Sequence, residues 1–226
     1  MICHGFIRTN FPLSRFCKVT DKFNNKPLFM KEEKIVRTTD LKFTIFGGGA
    51  FGLAMAKVLS DKSVPSVILV RNESFAHAIN ARHQHPKYLS QYLLSPLIQA
   101  STSVTEAMNG CTHIIHAIPM QASRDFLMEV KDKIPCGVPI LSVTKGIEQQ
   151  TFCLMSEILN DTLGPNQSTA YLSGPSFAEE IINSLATAVV IASSDPKLAK
   201  SLSTLLSSGK FRCHTSTDVK VLNSRF

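Results

Sequence analysis

The sequence contains no apolar run long enough to cross a membrane, no C-x-x-C pair, no internal repeat and no low-complexity tract. The first absence excludes a helical membrane span, which needs about 20 consecutive apolar residues. Six cysteines (Cys3, Cys17, Cys111, Cys136, Cys153 and Cys213) are dispersed, with no secretory apolar segment, so they read as reduced thiols in an intracellular compartment. No basic helix interleaved with aromatics is present, which argues against a nucleic-acid partner. The histidines His83 and His85, and His113 and His116, form two pairs that lack a third ligand at metal spacing. No metal site is therefore expected, and no Ser/His/Asp or Cys/His constellation is legible.

What remains is a chain of 226 residues with mean hydropathy near zero, enough for one substantial core. Its net charge of +7 is concentrated at one end, where residues 1–40 carry eight Lys/Arg against four Asp/Glu. The first 20 residues hold Arg8, Arg15 and Lys18 with no acid, which has the character of an organelle transit segment. Asp21, Glu32 and Glu33 follow soon, which suits a plain basic arm. The location expected is cytoplasmic, with plastid or mitochondrion as the alternative if the arm is a transit peptide.

The most informative segment is an apolar strand, Leu41 to Phe46, running into Gly47-Gly48-Gly49-Ala50-Phe51-Gly52 and then a small-residue helix. In such a strand-turn-helix, Gly47 allows a tight turn, Gly49 lets a pyrophosphate approach the backbone, and Gly52 lets helix and strand pack closely. Free N–H groups at the helix start face the phosphates, and the helix dipole favours their charge. A second apolar run, Val67-Ile68-Leu69-Val70, arrives at the spacing of a βαβ unit.

Strands and helices alternate thereafter, predicting an α/β fold with a doubly wound, mostly parallel, Rossmann-like sheet over residues 41–215. Helices are expected at about 51–61, 73–82 and 149–160, at the capping boxes Ser103-x-x-Glu106 and Ser176-x-x-Glu179, around Phe126 to Val130, and at 195–206. Strands are expected at 66–70, 113–118, 138–143, 169–173, 186–192 and 211–214.

Ligands in such folds sit at the carboxyl ends of the strands. Three unusual segments fall there: the glycine turn, Lys145-Gly146 and Gly174-Pro175-Ser176. Lys145 could hold a phosphate or polarise a carbonyl as a compact point charge. After strand two, where an acid would bond the ribose 2′-hydroxyl, stands Arg71, which suits the 2′-phosphate of NADP or stacking on adenine.

These motifs, with Pro86-Lys87-Tyr88-Leu89, Lys145-Gly146-Ile147-Glu148, Leu172 to Glu180 and Thr215 to Val219, occur in an order that resembles the NAD-dependent glycerol-3-phosphate dehydrogenase family. The resemblance covers about 41–219. It implies interconversion of dihydroxyacetone phosphate, a small-molecule phosphate substrate, and sn-glycerol 3-phosphate with NAD or NADP, in a homodimer. Ala50, Phe51, Arg71 and Ala178 would touch the dinucleotide, with Gly47, Gly49 and Gly52 shaping its turn. Lys145 would lie between cofactor and substrate, and Gly174 and Ser176 on the substrate side.

The family's proton-donor lysine follows Asp-Val on a glycine- and glutamate-containing helix; here Asp218-Val219 leads to Lys220-Val221-Leu222-Asn223 instead. No catalytic residue is assigned. Residues 216–226 read as a truncated, divergent tail, and the expectation is that the family's all-helical second domain is missing. Cofactor binding with little or no turnover is the expectation for this chain alone. The rivals are a non-catalytic dinucleotide-binding splice form or fragment, and a related dehydrogenase such as a ketopantoate reductase.

Overall fold

The computed structural model describes residues 40–220, and ahead of them only the backbone of two short antiparallel strand pairs, Ile7–Arg8 with Ile35–Val36 and Phe16–Thr20 with Pro27–Lys31. The reading of 1–40 as an arm or transit segment, and that of the tail from 221 on, lie outside the described residues. Eight strands form one sheet: β1 (Phe43–Phe46), β2 (Ser66–Leu69), β3 (Ile98–Ser101), β4 (His113–His116), β5 (Ile140–Ser142), β6 (Thr169–Ser173), β7 (Thr187–Ala192) and β8 (Phe211–Ser216). Their order is β8-β7-β6-β5-β4-β1-β2-β3. All neighbours are parallel except β6 and β7, so β7 and β8 run against the rest. The six parallel strands follow the 3-2-1-4-5-6 order of a doubly wound dinucleotide fold.

Because side chains alternate across a strand, each strand feeds two cores. Phe43, Ile45, Ile115 and Leu141 face α1 (Ala50–Ser60), α2 (Glu73–Arg82), α6 (Ala178–Ile182) and α7 (Pro196–Leu206). Phe46, Ile114 and Ile140 face α3 (Val104–Met108), α4 (Met120–Val130) and α5 (Met155–Leu163), with Val219 packed at the margin.

The helix starts have local causes. Asn72 caps α2 by accepting from Ser74 N at 2.8 Å, and Asp195 caps α7 from Lys197 N at 2.9 Å with Pro196 in the first turn. Ser103 caps α3, but the Glu106 carboxylate accepts from Ser101 Oγ at 2.5 Å rather than closing a reciprocal box.

Three elements depart from expectation for a physical reason, while the strands at 113–116, 140–142 and 211–216 and the helix Met120–Val130 differ only in length. Strand β3 was not foreseen. Helix α5 starts at Met155 rather than 149, because residues 148–153 close on themselves: Glu148 N donates to Cys153 O and Phe152 N to Glu148 O. The helix after Gly174 starts at Ala178, and the Ser176 hydroxyl donates to Gly174 O at 3.3 Å instead of capping it.

Candidate functional site

The strand order reverses between β1 and β4, the point at which doubly wound folds hold their ligands in a crevice outside the carboxyl ends of the strands. Gly47, Gly49 and Gly52 of the turn differ in what their positions demand. Gly47 has φ +105°, and a Cβ on it would stand 2.7 Å from Ala117 O. A Cβ on Gly52 would stand 2.1 Å from Gly47 O, so helix α1 can lie on the turn only without one. Gly49 is the opposite case. It is the N-cap of α1 with ordinary extended geometry (φ −76°), and a Cβ there would meet nothing within 4 Å.

No side chain caps α1, and no acid stands in its first turn. The first N–H groups of a helix have no partner inside it. The turn therefore presents donors, a positive dipole end and vacant space to one place, and these fit a dinucleotide pyrophosphate.

Lys145 follows β5 and reaches across the crevice mouth. Its Nζ donates to Gly174 O at 3.0 Å and stands 6.0 Å from the centre of the Phe51 ring on α1. Partial burial of the ammonium lowers its pKa below the ordinary lysine value, although the residue as a whole remains exposed. Gly174 has φ +145° and packs on β7, where a Cβ would meet Ala188 O at 3.0 Å. Ser176 is buried beneath that turn, and Ala178 opens α6. The three segments singled out from the sequence thus converge, with Lys145 joining two of them directly. Arg71 stands apart, exposed past the end of β2, before the Asn72 cap.

Other residues at the crevice escaped sequence reasoning. Ala117 and Ile118, leaving β4, wall the turn opposite Gly47. Arg124 on α4 binds the buried Glu148 carboxylate through Nε at 3.0 Å and Nη2 at 2.9 Å, and also reaches Asp161 at 3.2 Å. Arg124, and then Thr151, hold the Glu148 carboxyl below its ordinary pKa. The available signal was the Glu in Lys145-Gly146-Ile147-Glu148, an acid inside a segment that otherwise reads as a strand exit.

Three of the described histidines, His85, His113 and His116, have structural roles. His113 stacks on Phe43 at 4.7 Å, and burial pushes its pKa down to about 4. His116 is fully buried, with Nε2 2.9 Å from Ser123 Oγ and its pKa pushed down to about 3. His85 Nδ1 accepts from the N–H groups of Lys87 and Tyr88, fixing the Pro86 turn. Among the described residues, no cluster of His, Cys, Asp and Glu could hold a metal, and no helix is long and apolar enough to cross a membrane.

The family described as NAD-dependent glycerol-3-phosphate dehydrogenase N-terminus matches residues 42–199. A relative from Oryza sativa subsp. japonica, a chloroplastic glycerol-3-phosphate dehydrogenase [NAD(+)], is 40% identical over 188 residues, covering 82% of this chain and 42% of its own. The glycerol-3-phosphate dehydrogenase [NAD(P)+] of Brucella canis is 39% identical over 179 residues, covering 79% of this chain and 55% of its own. Among solved structures, the glycerol-3-phosphate dehydrogenase of Coxiella burnetii superposes with a TM-score of 0.74 at 27% identity, over 79% of this chain and 55% of that one. The chain therefore spans about half the length of the relatives it matches.

Proposed function

Because the chain belongs to the NAD-dependent glycerol-3-phosphate dehydrogenase family, we propose that residues 41–215 bind NAD or NADP for the interconversion of dihydroxyacetone phosphate and sn-glycerol 3-phosphate. The observation that carries this reading is the convergence at the crevice. An uncapped helix start with room for a phosphate at Gly49 faces a lysine ammonium anchored on the Gly174 turn.

When bound, the nicotinamide supplies the hydride. The work of this chain's residues is placement. Gly47, Gly49 and Gly52 shape the turn whose N–H groups, from Ala50 onwards, hold the pyrophosphate, and Phe51 and Ala178 line its flanks. Arg71 takes the adenosine end, where a guanidinium and no acid leave room for a 2′-phosphate as well as a 2′-hydroxyl.

Lys145 orients the substrate from its phosphate or carbonyl oxygen, and Gly174 and Ser176 form the wall beside it. No lysine of this sequence stands in the family's proton-donor position, since Asp218-Val219 is followed by Lys220-Val221-Leu222-Asn223 and not by the family's glycine- and glutamate-containing segment. Residues 1–226 on their own therefore bind dinucleotide with little or no turnover. A missing general acid removes about 100- to 10,000-fold in rate. The test is NADH oxidation by the purified polypeptide with dihydroxyacetone phosphate: none is expected, and measurable substrate-dependent oxidation would refute the assignment of roles.

Assembly as a homodimer belongs to the same reading, and light scattering checks it. On location, the acids at Asp21, Glu32 and Glu33 favour the cytoplasm, while the chloroplastic rice relative favours a plastid. Imaging residues 1–40 fused to a fluorescent protein decides between them.

A further inference from the structure

Glu148 is the member of Lys145-Gly146-Ile147-Glu148 to which dinucleotide binding gives no part, yet its side chain is only 8% exposed and its carboxylate is saturated with donors. Arg124 Nε lies 3.0 Å from both oxygens, Nη2 lies 2.9 Å from Oε2, and Thr151 Oγ1 donates to Oε2. A carboxylate withdrawn from water needs such partners to remain charged. Its Arg124 donors come from α4.

Three residues earlier on the same helix, Gln121 grips the backbone on either side of Glu148. Its Nε2 donates to Ile147 O at 2.9 Å, and its Oε1 accepts from Gln149 N at 2.9 Å. Positions i and i+3 share a helix face. That face of α4 thus holds the three residues that follow Lys145-Gly146. The pivot between is Gly146, at φ +108°. On the other side of Lys145, Thr144 Oγ1 donates to Ile118 O at 2.8 Å. Lys145 is suspended between two anchors, both tied to the segment that leaves β4 and enters α4.

We infer that Arg124 and Gln121 are positioning residues of the site: gripping Ile147 to Gln149 from α4, they fix the Lys145 loop so that its ammonium stands at Gly174 O beside Phe51. The inference rests on the reading that Lys145 belongs to the site. It adds that Lys145 owes its position to two side chains that touch neither cofactor nor substrate.

The experiment follows the lysine ammonium groups of the full 226-residue chain by NMR through a pH titration, with Lys145→Arg identifying the Lys145 signal. In Arg124→Gln and in Gln121→Ala, the Lys145 midpoint moves up towards the ordinary lysine value, as the ammonium loses its partial burial. Arg124→Lys falls between the parent and Arg124→Gln, because an ammonium keeps the charge but not the two-pronged grip.

Gln121→Ala keeps the ion pair and removes only an exposed amide, so it reports even where loss of Arg124 loosens the fold. NADH dissociation constants rise roughly threefold in both variants, about the worth of one weakened hydrogen bond. A parent-like Lys145 midpoint in either variant, or equal movement of all lysines, overturns the inference. Failure of the unaltered chain to bind NADH would instead overturn the functional reading, and the ammonium titration, run without dinucleotide, still decides the positioning role.

Discussion

Replacing Gly49 and Gly52 by alanine, one at a time, separates binding from folding within four residues of chain. At Gly52 the new Cβ would stand 2.1 Å from Gly47 O and 3.3 Å from its carbonyl carbon. Both are backbone atoms, so no rotamer relieves the contact. Overpacking of this kind costs about 1–3 kcal/mol, and a backbone clash belongs at the upper end. For a domain of this size, that lowers Tm by roughly 6–12 °C.

At Gly49 the same methyl meets nothing within 4 Å, and the backbone (φ −76°, ψ 176°) is open to any residue. Reduced freedom of the unfolded chain stabilises by about 0.4–1 kcal/mol. Alanine is a poorer N-cap than glycine, which costs about 1 kcal/mol. These effects nearly cancel, and Tm should stay within about 3 °C of the parent.

The methyl nonetheless occupies the space through which a pyrophosphate must approach the N–H groups of α1. Affinity for NADH should fall at least tenfold, about 1.4 kcal/mol. The assays are a thermal scan by circular dichroism and a fluorescence titration with NADH. Parent-like NADH affinity in Gly49→Ala, or parent-like Tm in Gly52→Ala, would refute this account of the turn.

Two further predictions concern charge. Arg71→Glu should favour NADH over NADPH relative to the parent, since a carboxylate repels a 2′-phosphate and accepts from a 2′-hydroxyl; comparing the two dissociation constants in parent and variant checks it, and an unchanged ratio places Arg71 outside the adenosine site. Burial holds His116 at a pKa of about 3 and His113 at about 4, against an ordinary value of 6.5. Between those folded values and 6.5 the unfolded chain binds protons that the folded chain refuses, so their contribution to stability falls as pH drops through that window. Urea unfolding from pH 7 to pH 4 should show this loss, and His116→Leu should flatten it; an undiminished slope in the variant would contradict the assignment.

The sequence carried most of the sheet because its central strands are largely apolar, as strands covered on both faces must be, with Thr44, His113, His116 and Ser142 buried among them. Strand β3 was lost for a physical reason. Ile98-Gln99-Ala100-Ser101 has little apolar pattern of its own and is a strand by virtue of pairing with Ser66 to Leu69. The box at Ser176 and Glu179 misled because a capping hydroxyl has other acceptors within reach, here the Gly174 carbonyl exposed by its φ of +145°.

At the site, the glycines that backbone geometry requires, Gly47 and Gly52, were legible, since a close approach of helix and strand after a turn excludes a side chain there. Arg124, Gln121 and Ile118 were not. They act from α4 and its approach onto a loop more than 20 residues away, and no local pattern records that contact.

The most direct test of the central claim, that the Gly47 to Gly52 turn holds a dinucleotide pyrophosphate, is calorimetric titration of the folded, purified chain with NADH and with NADPH. The account predicts saturable one-site binding of at least one of them, weakened by Gly49→Ala. Folded protein that releases or absorbs no saturable heat with either coenzyme would contradict it.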